Sequence, residues 1–270
     1  MKNYRLVVVV PTLESYSILP NLINSLLAQT YLDWSVLLVD GRSSFTHCKF
    51  LDHICLQDNR FSWIQQGKES LGIFGAMNQG FDFADQDAWL LFWGSDDWAP
   101  QSNVFYEAMS AITASNIAGF VPDLVICRGK YVDSIGNFVR SAGFSCCSET
   151  NGVLNSKTFR RALSLGVTPP HQATLIGPGA RARLSSYADG FRLSGDLDYF
   201  LQLSRFPDLR VQVLDLELVH MSSGGISGQQ TQRRLQEVRR AYQRAFGWLW
   251  WFPFIARYVR RLFSLLHVRR

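Results

Sequence analysis

The sequence lacks the hallmarks of several common protein classes. Its five cysteines include no Cys-x-x-Cys pair, and two of them, Cys146 and Cys147, are adjacent, so they form no disulfide framework. The chain opens on an apolar run without the charged region and cleavage site of a signal peptide, and we therefore expect a reducing compartment. No stretch reaches the roughly 18 uninterrupted apolar residues that a membrane-spanning helix needs. Internal repeats and low-complexity segments are also absent.

Two phosphate-binding motifs are missing as well. No GxGxxG follows the first apolar run, and no GxxxxGK[ST] occurs anywhere in the chain. Their absence argues against the common dinucleotide-binding fold and against P-loop proteins. A phosphorylated ligand would instead need a metal ion and scattered hydrogen-bond donors to balance its charge.

Acidic residues are nearly absent from the C-terminal segment 233–270, which holds ten arginines, one glutamate and neither lysine nor aspartate. This segment carries +9, whereas the whole chain carries +5, so residues 1–232 together carry about −4. A mildly acidic body argues against a nucleic-acid groove across it. With 270 residues, 47% of them hydrophobic, the chain can form one large α/β domain, with or without an appendage.

Apolar runs and amphipathic segments alternate along the first hundred residues. Continuous apolar runs rich in β-branched residues predict buried strands of a parallel sheet. Strands are expected at residues 6–10, 34–39, 61–65 and 89–93, and helices at 18–27, capped by Ser17, and at 72–84. Strand, helix and strand at this spacing predict right-handed βαβ units. The expected fold class is therefore α/β, with a mostly parallel central sheet flanked by helices.

Carboxylates follow two of these strands. Asp40 comes directly after the second strand, and Asp96 and Asp97 follow the run that ends at Trp93. Adjacent carboxylates repel each other, but Mg²⁺ or Mn²⁺ prefers oxygen ligands and often takes only one or two from the protein. The carboxyl ends of parallel strands are also where α/β sheets bind ligands. The pattern predicts a metal and diphosphate site, with Asp40 near a base or ribose; the alternative is a solvated turn in which Asp97 caps a helix.

Short blocks further along the chain complete an ordered set. The blocks are VVVPT at 8–12, LLAQTYLDW at 26–34, LVDG at 38–41, GIFGAMNQG at 72–80, SDD at 95–97, HQA at 171–173 and GDLDYFL at 195–201. Their order and spacing over residues 6 to about 205 resemble the large bacterial family 2 of inverting glycosyltransferases. The resemblance implies the GT-A (nucleotide-diphospho-sugar transferase) fold and a nucleotide-sugar donor.

The chain departs from the family pattern at two places. Phe45 stands where the turn after the second strand usually has an acid, and Phe74 and Gly75 replace a Tyr-Asp pair. Both departures leave the expected metal position and base unchanged. They bear on the sugar of the donor and on its affinity more than on the chemistry.

The resemblance implies roles for individual residues. Asp97 would hold a divalent Mn²⁺ or Mg²⁺ with Asp96 beside it, and His220 could complete the metal shell, while the Gly-rich segment 221–227 could close over the donor. Asp196 would be the general base that removes the proton of the acceptor hydroxyl, and Gly195 would leave room for the acceptor. The donor site would comprise Pro11, Thr12, Glu14, Asp40, Asn78, Ser95 and Asp96, and acceptor contacts would come from His171, Gln172 and Asp198.

Other interpretations of some of these residues remain open. Asp196 and Asp198 precede apolar residues at helical spacing, so they could be a helix N-cap and a first-turn acid favoured by the helix dipole. A single histidine such as His171 is more often structural than functional. No second carboxylate is evident as a covalent nucleophile, so one base and one in-line attack would invert the anomeric carbon.

The chain divides into two expected parts. Residues 1–227 would be the GT-A catalytic domain, with a nucleotide-sugar half at 1–100 and an acceptor half at 101–227. The acceptor half contains a strand at 124–126 and a hairpin that turns at Gly136 and Asn137. Residues 228–270 would form a basic, aromatic, helical tail.

The tail has the composition of an amphipathic membrane-surface segment. A helix is expected at 229–246, followed by an aromatic cluster at 248–254 and by Arg257, Arg260 and Arg261 interleaved with apolar residues. Tryptophan and arginine on such helices are typical of a segment that lies in the membrane interface, here through residues 246–270. The protein would then sit peripherally on the cytoplasmic face of an anionic membrane. The alternative is a helix that docks on the domain or on a helical partner.

These expectations combine into one functional hypothesis with two rivals. The chain would be a metal-dependent inverting glycosyltransferase that moves a sugar, from a UDP-linked or similar donor, to a lipid-linked saccharide acceptor in surface polysaccharide or glycolipid synthesis. A nucleotidyltransferase on a similar sheet would need a Gly-rich, basic signature after the first strand, and residues 13–17 lack one. A non-catalytic, membrane-recruited protein that binds nucleotide sugars is the other alternative. Nucleic acid is not an expected partner.

Overall fold

The computed structural model describes residues 4–69, 72–133, 135–145, 152–223 and 230–267, with side chains as far as Arg260. Strands and helices alternate in its first half, as the hydrophobic pattern predicts. The strands are β1 (Leu6–Thr12), β2 (Trp34–Asp40), β3 (Phe61–Gln65), β4 (Trp89–Phe92), β5 (Leu124–Val132), β6 (Phe138–Ala142), β7 (Gly152–Asn155), β8 (Thr174–Ile176) and β9 (Arg210–Ser222). The helices are α1 (Leu19–Leu27), α2 (Phe45–Gln57), α3 (Ile73–Phe83), α4 (Val104–Ile117), α5 (Ser156–Ser164), α6 (Pro178–Arg183), α7 (Gly195–Leu203), α8 (Thr231–Phe246) and α9 (Trp251–His267).

The strands form one mixed sheet in the order β3-β2-β1-β4-β8-β5-β9-β7, with β6 paired to β5. The first four strands in this order are parallel, and β8 runs antiparallel to both β4 and β5. Leu6 is in register with both Trp34 and Trp89, and Thr12 is in register with Asp40. The carboxyl ends of β1, β2 and β4 therefore meet at one edge of the sheet, as the sequence predicts.

The core lies on both faces of this sheet. In β1, Val7 and Val9 face one hydrophobic cluster, while Leu6, Val8 and Val10 face the other. Burial on both faces explains why the strand is an unbroken apolar run and not an alternating one. Side chains of α3, α7 and α8 complete the first cluster, and side chains of α1 and α4 complete the second.

Two helices differ from the sequence-based expectations. Helix α1 begins at Leu19, and its N-cap position is Ile18 with no side-chain hydrogen bond, so Ser17 is not the cap. Pro20 at the start of this helix fixes a helical backbone angle in its place. Helix α2 was not expected at all; Ser44 caps it by accepting a hydrogen bond from the backbone N–H of His47 at 3.4 Å.

The tail begins inside the hydrophobic core of the sheet domain. Val238, Ala241, Tyr242 and Ala245 of α8 are buried in the same cluster as α3 and α7, and the Tyr242 hydroxyl donates to the Leu163 carbonyl at 2.9 Å. The expected boundary at residue 227 therefore does not separate two cores. Among the described residues, no helix is both long and apolar enough to cross a membrane.

Candidate active site

The loop after β2 is closed around the Asp40 carboxylate. Asp40 is fully buried, and its Oδ2 accepts from the backbone N–H groups of Arg42 at 2.9 Å and Ser43 at 2.8 Å. Its Oδ1 accepts from the Ser43 hydroxyl at 2.6 Å and from the Thr12 hydroxyl at 3.4 Å, and lies 3.3 Å from His47 Nε2. Both oxygens are therefore engaged within the protein. A contact between Asp40 and a base or ribose stays a prediction, and the structure gives Asp40 a part in shaping the loop.

Glu14 joins the loop after β1 to the loop after β2. Its carboxylate accepts from the backbone N–H of Ser44 and, at 2.9 Å, from the Ser44 hydroxyl, while its own N–H donates to the Ser43 hydroxyl at 2.8 Å. Glu14 and Arg42 both have positive φ angles, of 48° and 72°. Each loop thus adopts a backbone conformation that non-glycine residues seldom take, which is common where a loop is shaped around a ligand. Pro11 is half-buried at the same edge, beside Thr12.

The loop after β4 leaves its carboxylates with few partners. Asp97 is 3% exposed, and its Oδ2 accepts one hydrogen bond, from the Gly94 N–H at 2.5 Å. Burial raises the pKa of Asp97 well above its ordinary value, and the neighbouring charge of Asp96 raises it further. Burial also raises the pKa of Asp96. Ser95 and Gly94 complete the turn, and the space beside the Gly94 Cα is occupied by Asp96 Oδ1 and Asp97 Oδ2, which a Cβ would approach to 2.8 and 3.3 Å.

This donor set fits a divalent cation. Two carboxylates turn towards one glycine, and no cationic side chain in the described part of the chain pairs with them, so a bound cation would offset their repulsion and their burial. The described residues contain no group of three or more His, Cys, Asp or Glu side chains arranged for a metal. A site of one or two carboxylates is therefore the kind that Mg²⁺ or Mn²⁺ completes with water and substrate phosphates.

His220 lies next to this loop but its ring has another partner. Trp98 and His220 form an isolated antiparallel bridge through backbone hydrogen bonds of 3.0 and 2.9 Å, so the end of β9 is paired directly behind Asp97. The His220 Nε2 is 2.7 Å from Glu217 Oε1, and the ring packs edge-on against Trp98. In this arrangement Glu217, not a metal, occupies Nε2, and metal ligation by His220 stays a prediction. Residues 224–227 of the expected Gly-rich closing segment lie outside the described residues.

The end of β4 also contacts the segment that follows α5. The Phe92 ring stacks on the His171 imidazole at 5.5 Å with 9° between the planes, and Trp93 Nε1 donates to the Gln172 carbonyl at 2.9 Å. His171 and Gln172 both line a cleft of about 320 Å³, and Asp196 lines the same cleft. The residues before the acidic pair thus contact two of the residues that line the cleft with the expected base.

His171 is part of an aromatic cluster. Its Nε2 is 2.6 Å from the Tyr187 hydroxyl, and the Tyr187 ring contacts Phe74 at 5.0 Å. Burial lowers the pKa of His171, and the negative charge of Asp196 acts in the opposite direction. Asn78 anchors the same tyrosine, because its amide donates to the Tyr187 carbonyl at 3.0 Å and accepts from the Tyr187 N–H at 2.7 Å. Asn78 therefore organises the wall of the cleft in this structure, and its contact with a donor stays a prediction.

Asp196 is half-buried in the first turn of α7, where Ser194 is the N-cap residue. It is therefore not an N-cap, and its carboxylate is free to line the cleft. Gly195 serves a different purpose from the expected one: a Cβ there would lie 2.9 Å from the Phe74 ring. Glycine at this position permits α7 to pack against the aromatic cluster, and the expectation that it leaves room for an acceptor is wrong.

The expected acceptor role of Asp198 is not supported. Asp198 is 1% exposed, its Oδ2 is 3.0 Å from Arg244 Nη1 of α8, and it does not line the cleft. Burial raises the pKa of Asp198, and the charge of Arg244 opposes that change. Asp198 is a contact between α7 and α8.

Sequence reasoning missed the residue that holds the start of α7. Glu237 of α8 is 6% exposed; its Oε1 accepts from the Arg192 N–H at 3.0 Å, and its Oε2 accepts from the N–H groups of Leu193 at 2.7 Å and Ser194 at 2.9 Å. These three donors directly precede Gly195. One signal was available, because Glu237 is the single acidic residue between Arg233 and Arg270.

Three arginines of the cleft were also missed. Arg140 of β6, Arg234 of α8 and Arg257 of α9 line it together with Asp196. Arg140 lies about a hundred residues before the other two in the sequence, so spacing along the chain could not group the three. The tail, expected as a membrane appendage, thus contributes side chains to the cleft.

A mixed sheet flanked by helices, with an acidic loop at the end of a central parallel strand, is the fold of glycosyltransferases of the GT-A type. The model of the family described as "Glycosyl transferase family 2" matches residues 7–141. The chain belongs to this family.

Curated relatives agree with this assignment. The "PGL/p-HBAD biosynthesis glycosyltransferase" of Mycobacterium bovis (strain BCG / Pasteur 1173P2) is 26% identical over 221 residues, which cover 82% of this chain and 78% of the relative. A protein with the same description from Mycobacterium tuberculosis (strain ATCC 25177 / H37Ra) has the same identity and coverage.

Solved structures share the fold at low identity. S. aureus TarS matches with a TM-score of 0.66 and 16% identity over 88% of this chain, which spans only 39% of the TarS chain. TarS 1–349 in complex with UDP-GlcNAc matches with a TM-score of 0.65 and 17% identity, over 90% of this chain and 67% of that one. The mannosyltransferase PcManGT from Pyrobaculum calidifontis, in complex with GDP-Man and Mn²⁺, matches with a TM-score of 0.60 and 13% identity, over 91% of this chain and 65% of that one.

Proposed function

We propose that this protein is a metal-dependent, inverting glycosyltransferase. It moves a sugar from a nucleotide-diphosphate sugar, with UDP as the expected nucleotide, to a hydroxyl of a lipid-linked saccharide in surface polysaccharide or glycolipid synthesis. Residues 1–100 bind the donor and residues 101–227 bind most of the acceptor. The nucleotide assignment draws support from neighbours of the same fold that are complexed with UDP-GlcNAc or with GDP-Man.

The observation that carries the proposal is the continuity of residues 92–97 with the cleft. Phe92 and Trp93 contact His171 and Gln172, which line the cleft with Asp196, and the carboxylates of Asp96 and Asp97 follow within four residues of Trp93. A base in the cleft, linked through His171 and Gln172 to the strand that leads into the acidic loop, supports displacement of a nucleoside diphosphate.

The chemistry divides between the two carboxylate positions. Asp97, assisted by Asp96, would hold the divalent ion, which when bound neutralises the charge that develops on the leaving diphosphate. Asp196 takes the proton of the attacking hydroxyl. Among the described residues that line the cleft, Asp196 is the only carboxylate, which favours a single in-line displacement with inversion over a covalent intermediate.

Hydrolysis of the donor in the absence of acceptor tests this assignment. We expect slow hydrolysis of a UDP-sugar that requires Mn²⁺ or Mg²⁺ and is lost in Asp97→Asn. Asp196→Asn should lower the rate by about 10²–10⁴-fold, as for other general bases, while UDP still binds. Asp189→Asn, an exposed aspartate ahead of the same helix, is the matched control and should keep the wild-type rate. Undiminished hydrolysis by Asp196→Asn would rule out the base.

A thermal-shift screen of nucleotide sugars, with and without metal, would name the donor, because a bound ligand stabilises the folded state. Analysis of the reaction products separates the two alternative functions. A nucleotidyltransferase would join a nucleoside triphosphate to a sugar 1-phosphate with release of pyrophosphate, and a binding protein would show the thermal shift without turnover. Membership of a glycosyltransferase family argues against both.

The outer surface of the tail supports peripheral attachment to a membrane. Trp248 is 81% exposed, and Trp251, Phe252, Ile255 and Val259 continue an exposed apolar face at helical spacing along α9. Arg260 is exposed beside this face. Aromatic and apolar side chains flanked by arginine favour the interface of an anionic bilayer, here the cytoplasmic face of the cell membrane, and would keep the enzyme near a lipid-linked acceptor.

Flotation with liposomes tests the attachment. The double variant Trp248→Ser, Phe252→Ser should lose binding to liposomes that contain anionic phospholipid. Leu56→Ser, which changes an equally exposed apolar residue on α2, should bind as the unmodified protein does. If the double variant floats with the liposomes as well as the Leu56→Ser variant does, the outer face of α9 is not the attachment surface.

A further inference from the structure

The cleft beside Asp196 carries an excess of positive charge. Arg140, Arg234 and Arg257 line it, and Asp196 is the only carboxylate among the described lining residues. The rest of the lining is neutral apart from His171, whose pKa burial lowers. A site for an uncharged sugar has no need of three guanidinium groups.

Several other arginines of the molecule have carboxylate partners. Arg183 pairs with Asp123 at 2.8 Å, and Arg244 pairs with Asp198 at 3.0 Å. In the cleft, Arg140 stacks on the ring of Tyr131 at 3.6 Å. For Arg234 and Arg140, no ion pair to a carboxylate is found within the described part of the chain.

Arg257 is buried in the cleft wall without a full set of hydrogen-bond partners among the described residues. It is 5% exposed, and Nη1 donates to the Thr168 hydroxyl at 2.9 Å, while Nε is buried with no hydrogen-bond partner among the described residues. Gly166 makes this possible: it has a φ of +81°, and a Cβ there would lie 2.7 Å from Arg257 Cγ. A buried guanidinium without an anion is unfavourable, so a built site of this kind favours an anionic ligand.

The lining of this cleft does not include the expected metal-binding residues. Asp97, Asp96, Thr12 and Asp40, which form the strand-end edge, do not line this cleft. In the proposed function the metal at Asp97 serves the donor diphosphate, so the arginines are left for the other substrate. Guanidinium groups match the geometry of phosphoryl oxygens and bind them through paired hydrogen bonds.

We propose that Arg140, Arg234 and Arg257 bind a phosphoryl group of the acceptor, which places the attacking hydroxyl against Asp196. This inference rests on the proposed function for the identity of the second substrate. The phosphoryl group can be carried by the lipid or by the saccharide, and both present the same tetrahedral oxyanion to the three arginines.

Binding measured without turnover tests the inference in the full-length protein. In EDTA, which keeps a metal out of the donor site, glucose 6-phosphate and farnesyl phosphate should each be titrated by calorimetry, with glucose as the uncharged control. We expect at least one phosphorylated probe to bind at least tenfold more tightly than glucose. Preference for farnesyl phosphate indicates a lipid-borne phosphoryl group, and preference for glucose 6-phosphate indicates a sugar-borne one.

Variants connect that binding to the cleft. Arg234→Gln and Arg257→Gln should each weaken the preferred probe at least tenfold, whereas Arg239→Gln, an exposed arginine on the same helix as Arg234, should not change it. Because Arg257 is buried and its variant can fail to fold, Arg140→Gln at the exposed rim provides a second test. Arg257→Lys should bind the preferred probe with intermediate affinity, because lysine keeps the positive charge but lacks the paired N–H donors of the guanidinium group.

Two results would overturn the inference. One is equal binding of the probe by the unmodified protein and by the Arg234 and Arg140 variants. The other is loss of the thermal shift caused by UDP with Mn²⁺ in the same variants, which would assign the arginines to the donor. Neither measurement depends on donor hydrolysis, so failure of the Asp196→Asn test would disprove the proposed function separately.

Discussion

The loops after β2 and β4 begin at the same edge of the sheet, on either side of β1, and treat a buried carboxylate in opposite ways. Asp40 is fully buried and accepts two backbone and two hydroxyl hydrogen bonds. Asp97 is almost as buried but accepts one hydrogen bond, from the Gly94 N–H, and has Asp96 beside it. The Asp40 carboxylate has its hydrogen-bond partners within its own loop and strand, whereas the Asp97 carboxylate has no positive partner among the described residues.

This difference separates a carboxylate that stabilises its own loop from one that the loop leaves with a single hydrogen bond. A buried carboxylate that is fully hydrogen-bonded stabilises its loop, and removing it leaves donors without acceptors. A buried carboxylate with a raised pKa destabilises the protein until a cation arrives. The comparison therefore predicts opposite effects on stability for substitutions at equivalent strand ends.

The largest expected change is at Asp40. Asp40→Ala leaves the N–H groups of Arg42 and Ser43 without their acceptor inside a closed loop, and should lower the free energy of unfolding by about 3 kcal/mol. Urea denaturation measures this loss. Asp40→Asn keeps one acceptor oxygen and should lose less. A loss below about 1 kcal/mol for the alanine variant would mean that the loop is not held by this carboxylate.

Glu237 is a buried carboxylate of a third kind, because it lies on α8 and accepts hydrogen bonds from the loop that leads into α7. Glu237→Gln replaces one acceptor oxygen by an amide NH₂ that faces backbone donors at residues 192–194, and should lower the free energy of unfolding by about 2 kcal/mol. Because those residues lead into α7, kcat should fall more than the KM for the donor changes. Glu107→Gln, on the exposed face of α4, is the matched control. An unchanged kcat alongside reduced stability would limit Glu237 to a structural role.

Asp97→Asn should raise the free energy of unfolding, in contrast to the substitutions at Asp40 and Glu237. The pKa of Asp97 is raised above its ordinary 3.8, so the folded protein binds the proton more tightly than the unfolded chain does, and stability falls as the pH rises from 3.8 through the raised pKa. Asparagine removes this penalty. In EDTA at neutral pH, the variant should gain about 1 kcal/mol. It should also lose the stabilisation that Mn²⁺ with UDP gives, and a variant less stable than the unmodified protein would contradict the comparison.

The smallest effect is expected at Thr12, the outermost partner of Asp40. Thr12→Val removes a hydrogen bond of 3.4 Å and keeps the shape of the side chain, so the loss should be below about 1 kcal/mol. Thermal unfolding of this variant beside Asp40→Ala shows how the stability of the loop divides among its contacts. If Thr12→Val lowers the free energy of unfolding more than Asp40→Asn does, Thr12 and not Asp40 is the main stabilising contact of this loop.

The arrangement of the parallel half could be predicted from the sequence. Unbroken apolar runs such as 6–10 mark strands buried on both faces, and parallel strands must end at one edge, so Asp40 and Asp96–Asp97 could be placed together. The hairpin of β5 and β6 followed from Gly136 and Asn137 in the same way. These are local patterns whose geometry is set by the backbone.

The remaining features depend on contacts between distant segments. Helix α2 escaped notice because its pattern is inverted, with His47 buried while Phe45 and Leu56 are exposed. Glu237 looks like an ordinary surface residue of a charged helix until α8 is packed against α7. Asp198 looks like a site residue until Arg244 is beside it.

The bond between Glu237 and the backbone at 192–194 has a consequence for biosynthesis. The helix that presents Asp196 is completed only by a segment near the end of the chain, and the wall of the cleft at Arg257 is made later still. A ribosome-bound chain that has emerged only as far as β9 has the strand-end edge but not the anchored α7. Under the proposed function, a product truncated before Glu237 would therefore keep the strand-end edge but lack the anchored α7 that turnover needs.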